Sequence, residues 1–280
     1  MTDITPRRLM LWGVGTSRTV RAHWALHELD LDYECRAILP RTGETQTQEY
    51  TELNPRQKIP LLQDGNFKIA ESPAIAAYLS NTYGIRENAL IPTEPREYAT
   101  WLEWCFYAAT ELDATSLYVM RRHGALKHIY GESQVALESA AAYFATQLRH
   151  AEHALQDGRA FLVGGRLTTA DMLLTTCLTW AASYGVPVTA ACHAYMERIT
   201  SRPAYRAGLA ANTPRSTAEP PQLAAFSFAI RRATGRSVCR GRCRGSLAPG
   251  PGWTWTCLGE SGSPHSEHTI TGSKSLPQGS

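Results

Sequence analysis

The chain has 280 residues, 43% of them hydrophobic and 19% charged, which describes a globular protein long enough for two domains with their own cores. No apolar run reaches the roughly 18 residues of a membrane span, and the opening MTDITPRRLMLW lacks the apolar stretch and cleavage site of a secretory leader. The net charge of +3 is carried at one end. Arg215 onward holds eight Lys/Arg against three Asp/Glu, so the residues before it are slightly acidic and nothing there calls for nucleic acid. Seven irregularly spaced cysteines suggest no disulfide framework and fit a reducing cytoplasm.

In chain order, Leu9-Met10-Leu11-Trp12 reads as a buried strand closed by Gly13-Val14-Gly15. Ser17 precedes a helical pattern with Val20, Trp24, Ala25 and Leu29 on one side. Tyr33 to Leu39 suits a second strand, and a short helix is expected before Leu53. Lys58 to Leu62 reads as the third strand, with Asp64-Gly65 as a hairpin turn into Phe67-Lys68-Ile69-Ala70. Ser72 is expected to cap a helix that begins with Pro73 and ends near Gly84.

The order β-α-β-α-β-β-α thus fills residues 1–84, and a linker with Pro92 and Pro95 follows over 85–95. Across 96–213 only helical patterns remain, over Glu97 to His123, Glu132 to Gln156, Thr169 to Ser183, Thr189 to Thr200 and Pro203 to Ala210. Thr168 followed three residues later by Asp171 has the spacing of a helix N-cap. The fold class is therefore α/β followed by all-α. Residues 214–280 are rich in Gly, Ser, Pro and Arg without a sustained period, and are expected to be a disordered basic tail. Its Cys239, Cys243, His265 and His268 match no strong zinc spacing, and no metal is expected.

Three separated segments carry a resemblance covering nearly all of residues 8–212. They are Thr16-Ser17-Arg18-Thr19-Val20-Arg21, then Asn54-Pro55-Arg56-Gln57-Lys58-Ile59-Pro60 with Glu71-Ser72-Pro73-Ala74-Ile75, then Gly164-Gly165-Arg166-Leu167-Thr168-Thr169-Ala170-Asp171. Each is weak alone, but their order and separation together resemble the glutathione transferase family, in particular its serine-type theta-like, delta-like and bacterial members. The resemblance implies a thioredoxin-like glutathione-binding domain followed by an all-helical domain that lines the pocket of an electrophilic second substrate. It also implies a homodimer, glutathione as co-substrate and no membrane partner.

On the same resemblance, Ile59-Pro60 is a cis-proline turn that aims the Ile59 backbone at the cysteinyl part of glutathione; only X-Pro bonds go cis at modest cost. Glu71 accepts from the γ-glutamyl ammonium, and Ser72, at a helix N-terminus, suits the adjoining carboxylate. Lys58 falls near the glycyl carboxylate. Ser17 is the expected catalytic residue, a hydroxyl at a helix N-terminus that donates to the thiolate; Thr16 and Thr19 compete for that role. No cysteine occupies this segment, which argues against a cysteine-type member. Asp171 is expected to serve folding. The aromatics Tyr98, Trp101, Trp104, Tyr107 and Tyr118 recur at helical spacing, and which of them reach the second-substrate pocket stays open. The expected reaction is conjugation of glutathione to an electrophilic carbon. Other glutathione-dependent chemistry (isomerisation, dehalogenation, disulfide reduction) and a non-catalytic binding module are the alternatives.

Overall fold

The computed structural model describes residues 9–214. The expected basic tail beyond Pro214, with its cysteines and histidines, lies outside them. The chain opens with β1 (Leu9–Trp12), α1 (Ser17–Glu28) and β2 (Tyr33–Arg36), continues through α2 (Gln48–Leu53), and returns as β3 (Leu61–Asp64), β4 (Phe67–Ala70) and α3 (Ser72–Tyr83). The four strands form one sheet in the order β2-β1-β3-β4. β1 and β2 are parallel, as the crossover through α1 requires, while β1–β3 and β3–β4 are antiparallel. Gly65, at φ 57, lets β3 and β4 join through a two-residue turn, with Asp64 paired to Phe67.

Three boundaries differ from the sequence reading, each for a visible reason. β2 stops at Arg36, whose carbonyl accepts from both Gly13 N (2.9 Å) and Ile38 N (2.8 Å), so the chain turns there. β3 begins only at Leu61, because the Lys58 carbonyl is taken by the Tyr50 hydroxyl (2.6 Å) and Asn54 Nδ2 (2.7 Å) instead of a strand. Ser72 does not cap α3 with its side chain: the N-cap is Glu71 and Ser72 is the first helical residue, ahead of Pro73.

Beyond the sheet come α4 (Pro95–Tyr107), a π-helical stretch over Ala108–Leu117, α5 (Tyr118–His123), α6 (Lys127–Tyr130), α7 (Gln134–Leu155), α8 (Thr169–Ser183), α9 (Ala190–Thr200) and α10 (Pro203–Ala211). The helix expected from Glu97 to His123 is one continuous helical path, begun two residues early and widened in its middle. Ser116 Oγ donates to the Glu111 carbonyl five residues back (2.6 Å), and the wide turn buries Leu112, Asp113, Ser116 and Leu117.

α1 is the hub, because residues Thr19 to Leu26 are all buried. It packs against α3, α8 and α10. A Cβ on Gly208 of α10 would come within 2.7 Å of the Trp24 Cα, so glycine is needed for α10 to lie this close. Leu11, Leu62, Leu79, Leu112, Phe144, Leu174 and Tyr195 share one continuous apolar core with Trp24. Asp171 closes the first turn of α8: its carboxylate accepts from Leu162 N (2.8 Å), Thr168 N (2.7 Å), Thr168 Oγ1 (2.8 Å) and the Tyr195 hydroxyl (2.6 Å). That is the expected N-cap spacing performing a folding role. Among the described residues no helix is long and apolar enough to cross a membrane.

Candidate functional site

The β1–α1 loop is shaped by two glycines at positive φ, Gly13 (107°) and Gly15 (81°). At Gly13 a Cβ would lie 2.5 Å from the Ile59 Cβ, so the absence of a side chain lets this loop close against the Ile59-Pro60 turn. The Ile59-Pro60 bond is cis. Asn54 fixes the shape of the segment leading to it: besides holding the Lys58 carbonyl, it accepts from Arg56 N through Oδ1 (3.2 Å) and from Gln57 N through its own carbonyl (2.8 Å).

Three hydroxyls compete at the start of α1, and hydrogen bonding separates them. Thr16 is the N-cap: its Oγ1 accepts from Thr19 N (3.0 Å), while Thr19 Oγ1 accepts from Thr16 N (2.9 Å), a capping box with threonine at the third helical position. The Thr19 hydroxyl is buried and donates to Asn212 Oδ1 (2.6 Å). Ser17 is the first helical residue, half-buried, and its hydroxyl has no hydrogen-bond partner among the described residues. Thr16 therefore performs the capping, and Ser17 lines the cleft.

That cleft has two adjoining cavities. The smaller, about 210 Å³, is lined by Lys58, Ile59, Pro60, Glu71 and Ser72 together with Arg18, Arg56, Ala70 and Tyr118. The larger, about 300 Å³, contains Ser17 and shares Arg18, Arg56, Lys58, Ile59 and Tyr118 with its neighbour. All six expected site residues thus line one continuous cleft. Glu71 sits at φ 70, a costly conformation for a non-glycine residue, and pairs with Arg56 (2.6 Å). Ser72 is almost wholly buried at the N-terminus of the twelve-residue α3. No cysteine lines either cavity.

Of the aromatic stripe, only Tyr118 lines the cleft. Trp101 and Trp104 are core, and Trp101 donates to Thr169 Oγ1 (2.6 Å). Tyr107 donates to the Gln147 carbonyl (2.7 Å), and Tyr98 is exposed.

Sequence reasoning missed the charges behind and around Ser17. Asp113, from the π-helical stretch, binds Arg18 (2.6 Å) and Arg21 (2.9 Å). Burial would raise the Asp113 carboxyl, but Arg21 and Arg18 outweigh it and hold it below the usual carboxylate range. Burial likewise works against the Arg18 charge, and the bonded Asp113 reverses that, so its pKa is raised. Arg18 also lies 4.5 Å over the Tyr118 ring, which fixes its direction along the cleft wall. His23, wholly buried in α1, faces the back of the loop: its Nε2 meets the Gly13 carbonyl (3.1 Å) and its Nδ1 the Tyr33 hydroxyl (2.7 Å). Asn212, just past α10, accepts from Gly15 N through both its backbone oxygen (2.9 Å) and Oδ1 (3.2 Å). The partners of Arg18, Arg21 and Asn212 lie far off in the chain, so no local pattern in the sequence reports them.

A small mixed sheet with a cis-proline loop, followed by helices that complete a cleft at the start of α1, defines a thioredoxin-like protein with an appended helical domain. The family model for the glutathione S-transferase N-terminal domain matches residues 8–81, and that for the C-terminal domain matches residues 107–203. The chain belongs to the glutathione S-transferase family. Among curated relatives it is 28% identical to glutathione S-transferase F7 of Arabidopsis thaliana over 159 residues, 56% of this chain and 75% of that one. It is also 28% identical to glutathione S-transferase theta-1 of Bos taurus over 160 residues, 56% of this chain and 66% of that one. With a glutathione S-transferase of Hyoscyamus muticus the likeness is 31% but spans only 31% of this chain and 42% of that one. Among solved structures, the theta class glutathione S-transferase of Xanthomonas axonopodis pv. citri, with glutathione bound, superposes with a TM-score of 0.61 at 25% identity, covering 72% of this chain and 97% of that one. A glutathione transferase homologue from Lodderomyces elongisporus reaches 0.67 at 20% identity, covering 74% and 100%, and supports the fold alone.

Proposed function

We propose that this chain conjugates glutathione to electrophilic small molecules, with the Ser17 hydroxyl donating to the thiolate. The observation that carries this reading is the division of labour at the start of α1. Thr16 and Thr19 satisfy the cap, and the unpartnered Ser17 hydroxyl opens into a cleft that also contains the cis Ile59-Pro60 turn. In this reading glutathione occupies the smaller cavity. The Ile59 backbone pairs with its cysteinyl amide, Pro60 holding that geometry, and Lys58 approaches its glycyl carboxylate. Glu71 accepts from the γ-glutamyl ammonium, sharing its carboxylate with Arg56, and Ser72 with the N-terminus of α3 takes the adjoining carboxylate. The bound glutathione of the Xanthomonas relative supports the choice of ligand.

Glutathione supplies the nucleophile; the protein supplies its ionisation and position. A free thiol with pKa near 8.5 is only about 3% thiolate at pH 7. The Ser17 hydroxyl, the α1 N-terminus and the surrounding cations all favour the anion. Lowering that pKa also lowers nucleophilicity, which returns part of the gain, so holding the sulfur against the electrophile carries much of the rate. The same reading includes the division at residues 1–84, 85–95 and 96–213, a cytoplasmic homodimer and a role in detoxification, all from the family likeness.

Ser17→Ala tests it. Conjugation to a generic aryl halide at pH 7 is expected to fall between about 3-fold and 100-fold, recovering in part near pH 9 where free thiol ionises unaided. A variant whose rate–pH curve keeps the parent's apparent pKa rejects Ser17 as the donor.

A further inference from the structure

The larger cavity has an unusual wall. Five cations line it, Arg18, Arg41, Arg56, Lys58 and Arg121, and no aspartate or glutamate does. Arg18 pairs with Asp113, which it shares with Arg21, and Arg56 pairs with Glu71. Lys58 faces the glycyl carboxylate in the reading above. Arg41 and Arg121 are left over, and neither has an ion pair or a side-chain hydrogen bond among the described residues.

Arg121 is only partly exposed, on α5, and its guanidinium lies 6.0 Å over the ring of buried Trp180. Burial lowers its pKa, and the neighbouring Arg41 and Arg18 charges lower it further, against the opposing influence of Tyr184 and Tyr118. A charge held this way is short of a counter-ion. Arg41, exposed on the turn that follows β2 and on a backbone at φ 67, lines the same cavity. A non-glycine residue in that region costs of order 1 kcal/mol or more and is typically retained at ligand sites. Trp180, Tyr118 and Tyr130 complete the wall with flat apolar surface.

We propose that the larger cavity selects electrophiles that carry a carboxylate, with Arg121 and Arg41 as its counter-charges and the aromatic wall as the seat of the electrophile's body. A planar guanidinium fork matches a carboxylate in two-point contact, and a cleft lined by one sign of charge concentrates anions from solution. The proposal rests on the glutathione-conjugating reading of the same cleft. It adds the class of second substrate.

A matched pair of aryl chlorides tests it: 4-chloro-3-nitrobenzoate and its uncharged isostere 4-chloro-3-nitrobenzamide. With either probe the thiolate sulfur forms a C–S bond at the chlorine-bearing carbon, and chloride leaves with the electrons of the C–Cl bond. The carboxylate or amide is unchanged. With kcat/KM divided by the uncatalysed rate for each probe, the parent protein is expected to prefer the benzoate by about 10-fold or more. Arg121→Gln is expected to reduce that benzoate-to-amide ratio about 10- to 100-fold, mainly through the benzoate KM, the range for a hydrogen bond to a charged group. Arg41→Gln should reduce it less, Arg121→Lys should restore part of it, and added salt should erode it.

Equal losses for both probes, or no parent preference, overturn the proposal. The glutathione Kd of each variant, measured by calorimetry, separates the two readings. If Arg121→Gln weakens glutathione itself about 10-fold, the arginine belongs to glutathione and the proposal fails. If the parent turns over neither probe, calorimetry with the two preformed glutathione conjugates decides. Equal affinity for the carboxylate and amide conjugates rejects the proposal; failure to bind glutathione at all rejects the underlying reading. A cationic-pocket preference seen only with oxidised glutathione would assign the two arginines to a second glutathione and also overturn it.

Discussion

His23 should make the stability of this protein fall steeply below neutral pH. It is wholly buried, and its imidazole pKa is lowered from 6.5 to about 4, chiefly by burial, with His27 adding to the effect and the Gly13 carbonyl opposing it. At neutral pH the ring is uncharged, Nε2–H donating to Gly13 and Nδ1 accepting from Tyr33. On acidification the unfolded chain takes up the proton first, so stability is fully present above pH 6.5 and is lost as pH falls toward 4. The gap amounts to about 3 kcal/mol in total, of which about 2 kcal/mol goes between pH 7 and pH 5. Urea unfolding followed by tryptophan fluorescence, across pH 8 to 4, measures the slope for the parent and for His23→Gln. The difference between the two proteins isolates this residue from the carboxylates that also titrate. The variant is expected to lack about 2 kcal/mol of the decline between pH 7 and pH 5. Parallel profiles would refute the reasoning, as would an NMR titration that finds the His23 ring ionising near 6.5. Because the folded-state ring takes up its proton only near pH 4, the Gly13 contact and the loop it holds should loosen only as that pH is approached.

Two further predictions follow from the charges and caps around α1. Asp113→Ala leaves the Arg21 guanidinium buried without its carboxylate, and the expected cost is about 3–5 kcal/mol in urea unfolding; a cost under about 1 kcal/mol would show that Thr176 and Cys177 suffice for Arg21. Asn212→Ala removes one acceptor of the Thr19 hydroxyl, leaving the Thr16 carbonyl at 2.9 Å, and one of the two bonds to Gly15 N, so stability should drop by about 1–2 kcal/mol. Its kcat should drop more than its glutathione KM rises, since the loop that carries Ser17 is loosened while Lys58, Glu71 and Ser72 are untouched; an unchanged kcat would show that the latch does not position Ser17.

Much of the fold was legible because it is written in local chemistry. Glycines at positive φ close the β1–α1 loop, Asp64-Gly65 turns the hairpin, Thr168 and Asp171 cap α8, and apolar periodicity marks the strands and helices. The candidate site was legible for the same reason, since Ser17, the Lys58-Ile59-Pro60 segment and the Glu71-Ser72 pair all lie at element boundaries, where backbone groups are left unpaired. The start of β3 was misjudged by three residues, because side chains from Tyr50 and Asn54 claimed the Lys58 carbonyl first, and the N-cap of α3 fell one residue earlier, at Glu71.

What the sequence by itself determined is therefore the element order, the turns and the family of sites. Only the tertiary structure decided which hydroxyl is without a hydrogen-bond partner among the described residues. Thr16, Ser17 and Thr19 are equivalent as residue types at a helix start, and Thr19 is removed from consideration by Asn212, 193 positions away. Separation along the chain likewise hides Asp113 from Arg18, 95 positions away, because a charge carries no local preference that reports its partner. The electrostatic character of the cleft, and with it the kind of molecule it admits, exists only once the sheet and the helices have packed.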